Sequence, residues 1–413
     1  MAFNVNRVCE LQGLYGPFVM AERVLQKIWL RGDFDRRRAQ LSDGRPLRIL
    51  APGEWNRLGG PDFCGARLAM DGREVCGDVE VHFHQADWAF HRHVANPSFD
   101  RVVLHVVLFP PHKESCARDR HGREIPTLVL LPLLARDLEE YASDDALEAL
   151  TARDEQERFA ALLEMPVGEM HRILRHHAEV RWRQKVRYAG LRTGRLGWSG
   201  ALHATALEIL GYRRNRAIML EVAGRHPLEA WGHGTDAAAR FQELAGRWQL
   251  HGLRPANHPR VRLQQYVRWV EHAPAWPEAL GDLVAAHAGK TGCGFPEAAD
   301  RRSLGLSHLR RAIATQVLGE AVTGTRLDNL IADGFLPLVA AGQGIDLFPQ
   351  WFHARVGDQP GQVRRVLRRL GFRGRESAPA SQGWAQGLLG WILEARPGAS
   401  DCGHENLPGL DKR

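Results

Sequence analysis

From Pro17 to Leu30 the apolar residues Val19, Met20, Val24, Leu25 and Ile28 recur at helical spacing, with Glu22, Arg23 and Lys27 off the stripe. The pattern predicts an amphipathic helix over 17–30, opened by its proline. The periodicity then shortens. Residues 46–51 (PLRILA) read as a brief strand, 52–62 (PGEWNRLGGPD) are rich in turn formers, and two strands are expected at 65–71 and 73–84. Asp71-Gly72 between them predicts a tight hairpin. Residues 101–109 (RVVLHVVLF) are apolar almost throughout, as expected of a central, parallel strand covered on both faces. A last strand is expected over 123–131, where Pro126 favours an edge position.

Beyond Leu138 strand-like alternation nearly vanishes. Helical spacing takes over at 138–163, 168–189, 199–210, 214–223 and 235–249, then near 260–272, 307–318, 326–342 and 360–370. Proline and glycine cluster at 274–305. The predicted fold class is α+β followed by α: a mixed sheet flanked by helices over residues 1–135, then a large all-α domain over 136–413.

One short segment carries chemistry. In the strand 77–84, Asp78, Glu80, His82 and His84 alternate with Val79, Val81 and Phe83, so the four polar groups share one face with neighbouring Cβ atoms about 7 Å apart. Every residue on that face binds metals or moves protons, which makes it either an ordinary wet face or an active site. Asp62, in a Gly-Gly-Pro-Asp turn, is returned to the same side by the hairpin. Two converging carboxylates raise each other's pKa unless a cation neutralises them, and oxygen ligands favour Mg²⁺ or Mn²⁺. Five of the 20 histidines fall between positions 82 and 105: His82, His84, His91, His93 and His105. A zinc site needs three or four ligands, and His82, His91 or His93, and His105 can supply them. His91 and His93 do not share a face of a helix or turn, so one of the two is expected to reach the strand. Any single histidine can instead be a satisfied core residue, His105 above all. Trp55 and Trp88 read as core aromatics, and Asn56 as a turn residue or a substrate contact.

The 413 residues carry 55 Lys and Arg against 48 Asp and Glu, a net charge of +7, which tilts the partner question mildly toward nucleic acid. The six cysteines form no C-x-x-C pair, which argues against a zinc ribbon or a disulfide framework. No basic start precedes a long apolar run and no window reaches 18 apolar residues, so a cytoplasmic protein without a membrane span is expected. Two helices are strongly basic, 172–187 with Arg172, Arg175 and Arg183, and 364–375 with Arg365, Arg368 and Arg369. In LRPANHPRVRLQQ, Arg254, Arg260 and Arg262 flank prolines and can either contact phosphates or brace a connector.

Two resemblances add to this. Pro61-Asp62 followed by Glu80-Val81-His82 resembles the PD-(D/E)XK nuclease core, in which an Asp at a strand start and a (D/E)-x-K on the next strand hold one or two metals. Histidine stands here where that family usually has lysine. The resemblance implies a restriction-endonuclease-like core with Asp62, Glu80 and His82 catalytic, and with Glu22 as an extra acidic ligand. The stretches ERVLQKIW, ILAPGEWNRLGGPDF, GDVEVHFHQADWAFHRH, DRVVLHVVLF, LEILGYRRNRAIMLEVA, LRPANHPRVRLQQ and LDNLIADGFLPLVAA are similar to an uncharacterised bacterial family, a domain of unknown function common in Bacteroidetes.

The expected function is a metal-dependent phosphodiesterase or nuclease. Asp62 and Glu80 would hold Mg²⁺ or Mn²⁺, with Asp78, Glu22, His91, His93 and His105 as further ligands and His82 positioning or deprotonating the attacking water. The alternatives are a histidine-rich Zn²⁺ or other transition-metal hydrolase acting on a small molecule, and a catalytically inactive nucleic-acid-binding protein.

Overall fold

The computed structural model describes residues 21–56, 59–110, 116–134, 136, 138–151, 155–212, 215–251, 253–291, 301–359, 361–372 and 380–394. The first apolar stripe folds into helix α1, Glu22–Arg31, whose Val24, Leu25, Ile28 and Trp29 are buried. Pro17–Met20 lie outside the described residues. Strands β1 (Leu47–Ala51), β2 (Glu54–Trp55), β3 (Phe63–Met70), β4 (Arg73–His82), β5 (Val102–Val107) and, near the end of this part, Thr127–Val129 form one mixed sheet. β1, β2 and β4 each pair antiparallel with β3, whereas β5 runs parallel to β4, and Thr127–Val129 runs parallel to β5 at the edge. The apolar run is therefore the interior parallel strand that its composition predicts. The hairpin also turns where expected, with Asp71 and Gly72 both at positive φ (50° and 78°). Gly77 permits the close approach of β4 to β5: a Cβ there would lie 2.4 Å from a Val103 methyl and 2.6 Å from the Arg101 carbonyl.

Alternation along β4 and β5 splits the sheet into two faces. Val79, Val81, Leu104 and Val106 join the α1 residues in one core with Phe63, Leu68 and Leu128. On the other face lie Glu80, His82, His105 and Thr127. They are not wet: their exposures are 5%, 1%, 0% and 3%. The segment between β4 and β5, which begins with the one-turn helix α2 (Asp87–Phe90), folds over them and places Trp88 and Phe99 as a lid packed against Val102.

The rest of the described chain is helical. Helix α3 (Leu138–Thr151) links the two parts: Leu138 and Tyr141 enter the sheet's core, and Asp145 pairs with Lys27 of α1 at 2.6 Å. The two helices expected at 168–189 and 199–210 are both present and follow one another over Val167–Leu210, together α4, with the break between them where Gly197 leaves helical geometry at φ 72°, ψ 173°. The helix expected at 235–249 contracts to α5, Ala237–Gln242. Helices Trp276–Thr291, Phe348–His353 and Gln382–Glu394 were not anticipated. No described helix is long and apolar enough to cross a membrane.

Inside α4, Arg192 is fully buried and donates to Glu208 Oε2 at 2.9 Å and Thr205 Oγ1 at 2.5 Å. Removing one partner of a buried ion pair leaves an uncompensated charge, so Glu208→Ala should cost about 3–5 kcal/mol in urea unfolding. A loss below about 1 kcal/mol would show that the pair does not brace this helix.

Candidate metal centre

β4 delivers Glu80 and His82 to the covered face, and β5 sets His105 directly opposite Glu80. The crossover then brings in His91 and His93. His91 Nδ1 lies 3.1 Å and His93 Nε2 3.3 Å from His82 Nε2. Glu80 Oε1 lies 3.3 Å from His82 Nε2 and 3.3 Å from His93 Nε2. The three histidines' ligand atoms all fall within 4.8 Å of one another. A tetrahedral zinc ion with bonds of 2.0–2.1 Å separates its ligand atoms by about 3.3 Å. Four of the six edges among Glu80, His82, His91 and His93 thus already have the length that such an ion requires.

The expectation that only one of His91 and His93 reaches the strand fails for a local reason. Arg92 between them adopts the left-handed conformation (φ 59°, ψ 28°), which reverses the chain and turns both flanking rings inward. Holding a non-glycine residue there costs on the order of 1 kcal/mol, and such strain collects at functional sites.

The cluster's charges depend on one another. Burial resists ionisation of Glu80, but hydrogen bonds from His82 and His93 outweigh it and hold the carboxyl below its usual range. Burial likewise opposes the charge on His82, yet Glu80 raises it above an ordinary imidazole. His105 is pushed down to about 3, chiefly by burial and then by the His82 charge. His91 is lowered by burial and then by its histidine neighbours. His105 Nε2 sits 2.9 Å from His82 Nδ1, leaving His82 Nε2 for the centre of the cluster. A ligating histidine is normally oriented by such an outer partner.

Asp62 reaches the same corner in a different role. Its Oδ1 accepts from Gln26 Nε2 at 2.6 Å and its Oδ2 from the Val81 amide at 3.0 Å, while its own amide donates to Glu80 Oε2 at 2.9 Å. Burial and the nearby Glu80 charge raise its carboxyl above the usual range. Gln26, which no sequence motif flagged, also accepts from Trp55 Nε1. Glu22, half-buried on α1, is raised by burial and feels the charges of His82, Asp87 and Glu80, so it borders the site. Asp78 does not join: its Oδ1 accepts the Gly65 amide at 3.0 Å, at the irregularity in the β3–β4 pairing. His84 lies past the strand end and stacks on Phe109. Asn56 braces the turn, donating to the Gly59 and Pro61 carbonyls.

The arginines divide. Arg175 and Arg183 flank Glu179 at 3.5 Å, and Arg172 lies 3.9 Å from Glu169. Arg254, Arg260, Arg365, Arg368 and Arg369 are exposed. Arg262 is not available to a phosphate backbone: it is buried, with its donors on Gln265 and Asn257.

A family model described as "Protein of unknown function (DUF2851)" matches residues 22–245, more than half of the chain. The chain belongs to this family. The matched region of the DUF2851 protein holds the whole histidine cluster together with Glu22, Asp62 and Glu80. No curated protein and no solved structure matches the chain.

His105→Gln should weaken zinc affinity about 10–100-fold in a competition titration with a chromogenic chelator, as loss of an orienting partner does. An unchanged affinity would remove His105 from any role at the centre.

Proposed function

We propose that this DUF2851 protein is a metal-dependent hydrolase that cleaves phosphodiester bonds of nucleic acid. Its ion would be held by Glu80, His82, His91 and His93 rather than by the Asp62–Glu80 pair alone. The observation that supports this is the crowding of ligand atoms about His82 Nε2, with His91 Nδ1, His93 Nε2 and Glu80 Oε1 each 3.1–3.3 Å from it, on a covered sheet face whose exposed side is His91. An N₃O donor set suits zinc or another late transition metal better than Mg²⁺, which prefers oxygen. A bound divalent ion there would lower the pKa of a water and offset charge building on a scissile phosphate.

The chain's own residues supply the rest. Glu80 and His82 are fixed by the strand and by His105. Asp62 locks the turn before β3 to the middle of β4, so that its Glu80 contact is part of the site's frame. Glu22 places a further carboxyl at the rim from α1. The restriction-endonuclease-like core is part of the same proposal, supported by Pro61-Asp62 leading into β3, Glu80-x-His82 on the antiparallel partner β4, and the His105 strand following in parallel. Histidine in place of lysine is then a ligand rather than a loss of function.

The histidine-rich donor set itself favours a second reading, a transition-metal hydrolase for small molecules. Purified protein loaded with Zn²⁺ or Mn²⁺ should cleave bis(p-nitrophenyl) phosphate and labelled DNA or RNA. His93→Ala and Glu80→Ala should each lower the rate at least about 100-fold while circular dichroism is unchanged. Cleavage of small esters alone would select the second reading. Bound metal with hydrolysis of neither phosphodiesters nor small esters would contradict both.

A further inference from the structure

The helix Gly361–Arg369, four arginines and no acidic residue in a short span, lies outside the family-matched region and apart from the metal centre. Val363, Val366 and Leu367 bury its apolar stripe against Ala385, Leu388 and Leu389 of the helix Gln382–Glu394. Its other face presents Arg364, Arg365, Arg368 and Arg369, all exposed. Among the described residues no carboxylate comes within ion-pair distance of Arg364, Arg365 or Arg368, whereas Arg172, Arg175 and Arg183 on α4 each have a glutamate partner. Arg364 and Arg368, and likewise Arg365 and Arg369, stand at i,i+4, where like charges repel. The helix C-terminus offsets this for the last-turn pair only.

We infer that this helix face is the docking surface for the phosphate backbone of the nucleic acid, separate from the metal centre and deepening the hydrolase reading on which it rests. The guanidinium forks of Arg364, Arg365 and Arg368 on one rigid helix, with Arg369 beside them, match closely spaced phosphates. An anionic membrane is the poorer fit, because interfacial helices insert an apolar face and this one has buried its own. The α4 arginines, already engaged by glutamates, do not belong to the surface.

The test uses the full chain and fluorescence anisotropy with a labelled DNA oligonucleotide in EDTA, between 50 and 200 mM salt. Arg364→Gln/Arg365→Gln/Arg368→Gln/Arg369→Gln should lower affinity at least about tenfold and cut the salt slope by about 3, since each phosphate contact contributes roughly 0.7–0.9. The milder Arg364→Gln/Arg365→Gln variant, which keeps the last-turn charges, should give about half that loss of slope. Arg172→Gln/Arg175→Gln/Arg183→Gln should bind like the parent. Hydrolysis of bis(p-nitrophenyl) phosphate should be unchanged in all three. Unaltered DNA binding in the fourfold variant, or binding of this face to phosphatidylserine vesicles but not to DNA, would overturn the proposal. A parent protein that binds DNA through these arginines yet hydrolyses nothing would sink the hydrolase reading and leave the docking surface standing.

Discussion

A carboxylate buried against the imidazoles of His82 and His93 is the constraint on which the rest of this structure turns. Glu80 is 5% exposed and His82 1%, and both lie within 3.3 Å of other titratable atoms. Such a group is costly to hold dry unless charge is balanced inside it. Without an ion the balance falls to protons: against the cost of burial, the histidine hydrogen bonds hold the Glu80 carboxyl below its usual range and Glu80 in turn raises the His82 imidazole. A divalent cation at the centre would meet the same demand with all ligands deprotonated, and would then be the largest local charge.

The surrounding fold serves that arrangement. Gly77 lets β5 lie close enough to β4 for His105 to face Glu80, and the strained Arg92 turns two histidines inward at once. Trp88 and Phe99 cover the polar face that a free sheet would leave to water. Asp62 ties the opening turn of β3 to the middle of β4 through Val81 and Glu80. α1 is held in turn by the ion pair between Lys27 and Asp145 of α3, so the helical part buttresses the element that carries Glu22 and Gln26.

Much of this was legible because it rests on local rules. Asp71-Gly72 marked the hairpin, period-two alternation put Glu80 and His82 on one face, and the apolar run announced the parallel strand. What stayed hidden depends on backbone conformation or distant partners. Nothing about arginine signals a left-handed residue at position 92, so the joint arrival of His91 and His93 had no warning. The paired reading of Asp62 and Glu80 as the ion's main ligands missed Gln26 and the Val81 amide, which occupy both Asp62 oxygens. Asp78 obeyed the alternation rule along β4 but was diverted to the Gly65 amide by an irregularity that no motif marks.

The most direct measurement is X-ray absorption at the metal edge of protein purified without added chelator, together with its metal content. One equivalent of zinc or a similar ion, with about three imidazole nitrogens and one carboxylate oxygen at roughly 2.0–2.2 Å, is the predicted result. A protein that retains no transition metal, or one whose bound ion has an all-oxygen shell, would contradict the account.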